Sequence, residues 1–267
     1  MTWLFLITAF AFGAIVGSFL NVVIHRYPRE ESIVFPPSHC GSCGAHIKPY
    51  DNVPIFAYLW LLGRCRACRA PFSARYPLVE LANALFYVAI FQRTGLSWGF
   101  LPVAALVSMT IVLIYIDLEI QILPDVIDLP GVAIGLFIGT MHLGALFPDL
   151  LLSKTLLESL IGAGAGAGIL LAIALTYKLL RKIEGMGLGD VKMMAMLGAV
   201  LGWEALLPLL ILASVTGSLA GVFVAAKSED GLQVALPFGV FLGLAFLFMI
   251  FFGGGLLDSW LQLFVIP

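Results

Sequence analysis

Charged side chains are scarce in this sequence of 267 residues. Asp, Glu, Lys and Arg together make up 11% of it, whereas 61% of the residues are hydrophobic, and the mean hydropathy is +1.06. Soluble domains carry about 25% charged residues, so this chain has too little polar surface to cover its apolar side chains in water. The scarcity excludes a water-soluble globule, and we expect lipid to be the main solvent.

An excess of positive charge is also missing. The formal net charge is -2, which gives no indication of nucleic-acid binding. No Lys or Arg precedes the first apolar stretch, and no small-residue cleavage site ends it, so this stretch lacks the features of a secretory signal peptide. We therefore expect a first span that is retained.

Apolar stretches near ~20 residues, the length of a helix that crosses the hydrocarbon, mark the predicted spans. We expect about eight, with seven or nine as alternatives: Trp3 to Ile24, Leu78 to Phe91, Phe100 to Ile116, Val126 to Phe147, Leu156 to Leu180, Val191 to Trp203, Leu206 to Ala226 and Leu236 to Trp260. The sequence predicts an all-α polytopic membrane protein. It divides into a first transmembrane helix (1–25), a small cytoplasmic four-cysteine zinc module (26–77) and a transmembrane helical bundle (78–267).

Basic residues define the predicted orientation, because short loops rich in Lys and Arg stay in the cytoplasm. With the N-terminus outside, all of the 14 Lys and Arg residues except Arg93 and Lys154 fall on the cytoplasmic side. The distribution therefore predicts a multi-pass protein whose residues 26–77 lie in the cytoplasm.

Cysteine is limited to four residues, which form two CxxC pairs: Cys40 with Cys43, and Cys65 with Cys68. A Pro-rich segment of ~50 residues cannot build a self-sufficient core, and a reducing compartment disfavours structural disulfides. The pairs predict a tetrahedral four-thiolate zinc site that stabilises the module. A thiol redox pair is the alternative, although the segment lacks a thioredoxin-like setting of strand and helix.

Two acidic clusters lie at the ends of predicted spans, where ionisable side chains are costly. Asp117 follows the third span and Asp190 precedes the sixth, and the predicted topology puts both at the cytoplasmic edge. Two carboxylates that meet can share one proton, so that one acts as a base on water and the other as an acid toward a carbonyl. This arrangement predicts an aspartic protease dyad. The alternative is that Asp190 merely caps a helix.

Several neighbours of the two aspartates are candidates for supporting roles. Glycines before Asp190 let the backbone leave helical geometry and let an extended peptide approach. Glu119 and Asp128 are candidates for orienting water, binding a substrate amine or facing solvent. The supporting residues predicted for the site are Gly187, Gly189, Asp125, Glu119 and Lys192.

A run of alternating glycines and alanines occupies residues 162–168. It lies inside an apolar span with no strand before it, which argues against a nucleotide-binding loop. Gly162 with Gly166, and Gly164 with Gly168, instead predict two faces for close helix packing.

Taken together, these residues resemble the bacterial type IV prepilin peptidases. The resemblance extends from about Gly17 to Lys192 and rests on the order and spacing of its motifs. The matching segments are Gly17-Ser-Phe-Leu-Asn21-Val-Val-Ile-His25-Arg26, the two CxxC pairs, Asp51-Asn52-Val-Pro54, Gly63-Arg64-Cys65, Arg75-Tyr76-Pro77-Leu-Val-Glu80, Asp117 through Pro124-Asp125, and Gly187-Leu-Gly189-Asp190.

The resemblance implies a bifunctional enzyme of the bacterial inner membrane. Such an enzyme cuts the basic leader from prepilins or type II secretion pseudopilins after a Gly, and then methylates the new amino terminus with S-adenosylmethionine. It also implies that Asp117 and Asp190 are catalytic. Two departures are present: Glu119 stands where many relatives have Asp, and Cys40-Gly-Ser-Cys43 lacks the Pro that often follows the first cysteine. The binding site for S-adenosylmethionine and the oligomeric state are not assigned.

A transporter is the main alternative from another class, since Asp117 and Asp190 could couple a cation or proton. The absence of an internal repeat and the presence of the cysteine module disfavour it. A membrane scaffold that recruits partners through the module would leave the paired acids unexplained. Presenilin-like GxGD proteases would share the dyad but not the cysteine module.

Overall fold

The structure, a computed structural model, describes residues 2–150, 152–182, 186–227 and 236–262. This part of the chain contains ten α-helices. They are α1 (Thr2–Arg26), α2 (Phe56–Trp60), α3 (Arg75–Thr94), α4 (Phe100–Ile120), α5 (Asp125–Thr140), α6 (Leu143–Leu146), α7 (Leu156–Arg181), α8 (Leu188–Leu201), α9 (Leu206–Ala225) and α10 (Phe238–Gln262). Seven of the eight predicted spans each overlap one α-helix, whereas Val126 to Phe147 contains both α5 and α6. The predicted all-α class is confirmed.

The number of candidate spans differs from the predicted eight. Within the described residues, five helices are long and apolar enough to cross a membrane: Trp3–Arg29, Phe100–Ile120, Leu156–Arg181, Trp203–Ala225 and Phe238–Trp260. Helices α5 and α8 have 16 and 14 residues, so at 1.5 Å per residue they reach about 24 and 21 Å, less than the ~30 Å of hydrocarbon. Helix α3 is also not among the five candidates, and it carries the charged residues Arg75, Glu80 and Arg93.

The chain forms two compact units, Met1–Val112 and Leu113–Pro267, and the boundary falls within α4. The cysteine module falls in the same unit as α1 and α3, and the three segments predicted from the sequence stay a prediction. The segment between the end of α1 and the start of α3 contains α2 and two short 3₁₀ turns, Tyr27–Arg29 and Pro49–Asp51.

In the first unit, helix α1 packs closely on α3. A Cβ added at Gly17 would lie 2.7 Å from the Cα of Glu80, and one at Gly13 would lie 2.8 Å from the Cα of Ala84. The Asn83 side chain donates a hydrogen bond of 2.7 Å to the carbonyl of Gly13. Small residues thus let the two backbones approach, and a buried amide then joins them.

In the second unit, α8 occupies the centre. It contacts α5, α7 and α10, and nearly all of its residues from Val191 to Leu201 are buried. Gly162 of α7 is so close to the carbonyl of Gly198 that no side chain fits there, and a Cβ at Gly166 would lie 2.7 Å from the carbonyl of Met194. The predicted Gly162–Gly166 packing face is therefore present.

The second predicted glycine face is different. Gly164 and Gly168 have nothing within 4 Å of an added Cβ. Only one of the two expected faces of α7 is used for packing among the described residues.

Candidate active site and metal site

Asp117 lies three residues before the C-terminal end of the fourth described helix, α4, and is buried, with 4% of its surface exposed. Its Oδ2 accepts a hydrogen bond of 3.0 Å from the backbone N–H of Val240, and Gly239 also donates to the carboxylate through its N–H. Both donors belong to the first turn of α10, where unpaired N–H groups carry partial positive charge. The start of α10 therefore stabilises a negative charge on Asp117.

Asp190 lies in the first turn of α8 and is half-buried. Its carboxylate accepts a hydrogen bond from the backbone N–H of Gly187, the residue before the helix, and it interacts electrostatically with Asp117. The capping role considered from the sequence is thus present. It does not compete with a role toward Asp117, since a carboxylate has lone pairs for several donors.

Leu123 lies between the starts of α8 and α10. Its Cβ would be 2.9 Å from a Cβ added at Gly189, and its Cδ1 would be 3.0 Å from one added at Gly239. The added Cβ at Gly239 would also lie 2.9 Å from Oδ2 of Asp117. Leu123 therefore lies close to the starts of both α8 and α10, near Asp117 and beside the residue that precedes Asp190.

The structure gives different roles to the two predicted glycines. Gly187 has non-helical geometry with φ -75° and ψ 152°, as expected for a break before α8. Gly189 is already inside the helix, where it is required because Leu123 fills the space in which a side chain would lie.

Asp125 and Lys192 form an ion pair. The Nζ of Lys192 lies 2.6 Å and 2.7 Å from the two carboxylate oxygens of Asp125. Asp125 is in the first turn of α5 and Lys192 follows Asp190 by two residues in α8. The pair therefore links the starts of these two helices beside the aspartates.

Asp128 is fully buried, and neither of its carboxylate oxygens has a hydrogen-bond partner among the described residues. Burial excludes the solvent-facing role that was considered for it. The charged groups that act on it are Asp125, Lys192 and Asp190. Glu119 lies exposed on the last turn of α4, outside this buried group.

The four cysteines form a compact cluster. Their sulfur atoms all lie within 4.8 Å of one another, and the Sγ atoms of Cys40 and Cys68 are 3.8 Å apart. Four sulfurs at 2.3 Å from one tetrahedral ion would be ~3.8 Å apart, whereas a disulfide needs about 2.05 Å. The cluster therefore fits a metal ion.

The two CxxC segments have the same backbone fold. The N–H of Cys40 donates to the carbonyl of Ala45, and the N–H of Cys65 donates in the same way to the carbonyl of Ala70, at 2.9 Å in both. In the first segment, hydrogen bonds from the backbone N–H groups of Cys43 and then Ser42 lower the pKa of the Cys40 thiol to about 6. Because the thiolate is the form that binds metal, these backbone donors favour the ligating form of Cys40.

Comparisons with known proteins found two family profiles and several similar proteins. The profile of the Bacterial Peptidase A24 N-terminal domain matches residues 11–94, and that of the Type IV leader peptidase family matches residues 104–222. A protein of Aeromonas hydrophila is 37% identical over 92% of this chain and 90% of its own length. One of Pseudomonas putida is 35% identical over 97% of this chain and 94% of its own. Both are named prepilin leader peptidase/N-methyltransferase.

The chain belongs to the type IV leader peptidase family.

A third relative, from Myxococcus xanthus, is 39% identical over 82% of this chain and 63% of its own length and carries the same name. No solved structure matches the chain. The resemblance stated from the motifs is confirmed for this family member, and the transporter alternative is not supported by the relatives.

Three residues near Asp117 were not predicted from the sequence. Val240 donates a hydrogen bond to Asp117, Gly239 lies against its carboxylate, and Leu123 lies against Gly239. Pro237 marks the start of α10, because proline is favoured at helix starts. Nothing in the sequence connects that start with the end of α4, which lies more than one hundred residues earlier.

Proposed function

We propose that this protein is an aspartic endopeptidase that removes the basic leader from type IV prepilins or type II secretion pseudopilins. The proposal is supported by the electrostatic interaction of Asp190 with Asp117, and by Leu123 lying close to Gly189 and Gly239, within a chain whose relatives are named prepilin leader peptidases. The activity named for the relatives requires two groups that move protons, and these are the two carboxyls.

The proposed peptide hydrolysis follows from the environments of Asp117 and Asp190. With one proton shared between the carboxyls, the ionised group takes a proton from water, and the water oxygen attacks the scissile carbonyl carbon. The protonated group donates its proton to the carbonyl oxygen as the tetrahedral intermediate forms. The N–H of Val240 would stabilise Asp117 whenever its carboxylate is ionised. Collapse of the intermediate then returns a proton to the leaving amine.

The position of the dyad matches the substrate class. Asp117 is near the end of an apolar helix and Asp190 is near the start of another, so both lie at helix termini rather than at mid-helix. A prepilin presents an apolar helix preceded by a basic leader, and its junction would lie at the same level as these termini. The distribution of Lys and Arg supports a cytoplasmic site in the bacterial inner membrane, with the N-terminus outside.

The second activity proposed is methylation of the new amino terminus with S-adenosylmethionine, in line with the N-methyltransferase part of the relatives' name. The cysteine module would hold one structural zinc ion through Cys40, Cys43, Cys65 and Cys68. Its sulfur spacing supports this assignment. Bound zinc would close the loop of the module and contribute to its folding.

One assay tests both activities. Purified enzyme in lipid vesicles is incubated with a prepilin and with S-adenosylmethionine that carries a labelled methyl group. We expect loss of the leader, followed by label on the shortened protein. Labelling of the uncut prepilin, or an intact leader after prolonged incubation with wild-type enzyme, would contradict the proposal.

A further inference from the structure

Asp128 is a buried carboxyl group that the proposed peptide hydrolysis does not use. It lies in the first turn of α5 and is 0% exposed, and neither of its oxygens has a hydrogen-bond partner among the described residues. A buried polar group without a partner costs folding free energy, and the cost is larger when the group is charged. The presence of a carboxyl group here therefore needs a reason other than stability.

Asp128 belongs to the face of α5 that packs against α8. Asp128, Gly131 and Gly135 are spaced by three and four residues, so they lie on one side of the helix. At Gly131 the side chain of Met196 fills the space of a Cβ, and a Cβ added at Gly135 would lie 2.7 Å from that of Ala199. The numbers rise together in both contacts, so the two helices run parallel. One turn earlier, Asp128 is level with the start of α8.

The charged groups that act on Asp128 come from the starts of α5 and α8. They are Asp125 in its own helix, and Lys192 and Asp190 in α8. Lys192 is already engaged, since its Nζ lies 2.6 Å and 2.7 Å from the two carboxylate oxygens of Asp125. No hydrogen bond connects it to Asp128. Asp128 is therefore buried beside a proposed catalytic carboxyl, while the nearby cation pairs with another residue.

The other helices in contact with α5 bring no charge to this level. Helices α6 and α7 also pack against it. Helix α6 has no ionisable side chain, and α7 has no charged residue from 159 to 176. Tyr177, Lys178 and Arg181 follow at the end of α7, and none of them is among the groups that act on Asp128. Within the described part of the chain, the proposed catalytic group that faces Asp128 is Asp190.

We propose that Asp128 is a positioning residue of the peptidase, which sets the pH range over which Asp117 and Asp190 hold one shared proton, an inference that rests on the aspartic peptidase activity proposed above. While Asp128 is protonated, it adds no charge beside Asp190. At higher pH it loses its proton to solvent, and its negative charge then opposes loss of the proton from Asp190, since neighbouring like charges do not both form easily. The dyad thereby keeps its proton to a higher pH.

The pH dependence of kcat/KM for leader cleavage tests this role. Wild-type enzyme in lipid vesicles is compared with Asp128→Asn and Asp128→Leu from about pH 5 to about pH 9. Both substitutions remove the charge, so the alkaline decline of activity should begin about one pH unit lower than in wild type, the scale of coupling between interacting carboxyls. Asp149→Asn is the matched control, since Asp149 is exposed and outside the site. It should keep the wild-type profile.

Thermal unfolding in detergent separates this role from a structural one. Asp128→Leu removes a buried polar group that has no partner, so its melting temperature should equal or exceed that of wild type. A structural role predicts instead a lower melting temperature in both variants and the same fractional loss of cleavage at every pH. That result, or an alkaline decline at the wild-type pH in both variants, would overturn the role of Asp128.

Infrared difference spectra need no substrate, so they distinguish a failure of this role from a failure of the proposed peptidase. The C=O band of protonated Asp190 is identified by its loss in Asp190→Asn and is followed through the same pH range. It should disappear at lower pH in Asp128→Asn than in wild type, and an unchanged titration would contradict the coupling. Wild-type enzyme that leaves the leader uncut but shows the shifted titration contradicts the peptidase, while the coupling of the two carboxyls stands.

Discussion

The backbone N–H of Val240 donates a hydrogen bond of 3.0 Å to the buried carboxylate of Asp117, across 123 positions of the sequence. This bond sets the start of α10 beside the end of α4. It also supplies a donor to one of the two aspartates that we propose as catalytic. The same helix start brings Gly239 close enough that no side chain fits between it and Asp117.

Replacement of either proposed catalytic aspartate tests the dyad. Asp117→Asn and Asp190→Asn each should reduce the rate of leader cleavage about 10³-fold or more, because an amide cannot exchange the proton that the mechanism requires. Cleavage is followed by gel shift of a prepilin. Asp149→Asn is the control, since Asp149 is exposed and outside the site. Wild-type rates in either dyad variant, with equal membrane levels, would remove that residue from the mechanism.

A second prediction concerns the close contact at the start of α10. Gly239→Ala should strongly reduce cleavage, because the added Cβ would lie 2.9 Å from Oδ2 of Asp117 and would displace it. The control is Gly254→Ala on the same helix, where an added Cβ has nothing within 4 Å. Equal turnover of the two variants would show that this end of α10 does not position Asp117.

The Asp125–Lys192 pair is expected to position α5 against α8. Both side chains are partly exposed, at 55% and 38%, so loss of the pair should cost less than about 1 kcal/mol of stability. Cleavage should still fall about tenfold or more in Lys192→Ala, since small displacements of reacting groups are costly. The exchanged variant Lys192→Asp with Asp125→Lys should recover part of kcat/KM. No recovery would indicate that the charges act separately.

Metal analysis tests the cysteine cluster. The purified wild-type protein should contain about one zinc per chain, and Cys65→Ser should lose it, because structural sites of this type need four ligands. Without the ion, residues 26–77 should become sensitive to limited proteolysis. Ser42→Ala, between two of the cysteines but with no thiol to lose, should retain both metal and resistance. Zinc-free wild-type protein with a protected module would argue against the site.

Helix packing around α8 gives a further prediction with an internal control. Gly162→Ala should destabilise the protein by about 1–3 kcal/mol, since the Cβ would overlap the carbonyl of Gly198. Gly164→Ala should have little effect, because nothing lies within 4 Å of the added Cβ. Thermal unfolding in detergent measures the difference. The same melting temperature for both variants would mean that α7 and α8 are not packed in this way.

Much of the fold was predictable from apolar stretches. Every predicted span is largely helical, because apolar side chains in lipid require a backbone that satisfies its own hydrogen bonds. One of them, Val126 to Phe147, contains two helices rather than one. The number of crossing helices was not predictable in the same way. Helix α8 is as apolar as a span but only 14 residues long, and its residues are covered by other helices rather than by lipid. Hydropathy does not distinguish these two environments.

The candidate site was predictable only in part. Asp117 and Asp190 could be named because ionisable residues at span ends are unusual, and the pairing of the cysteines follows from their spacing. Asp128 was not expected to be fully buried, since its sequence position allowed either face of α5. The contribution of Gly239 and Val240 could not be predicted, because their backbone N–H groups are chemically like those of any other residue.

The sequence by itself determined that lipid is the main solvent of this protein and that its fold is helical. It also determined which residue types can transfer protons and bind metal. These depend on composition and short spacings, which act locally. The tertiary structure alone decided that Leu123 lies close to the starts of both α8 and α10, and that Arg66 reaches Asp51. Such meetings depend on how glycine faces and side-chain volumes fit between distant helices and loops, and no local pattern of the chain specifies the partner.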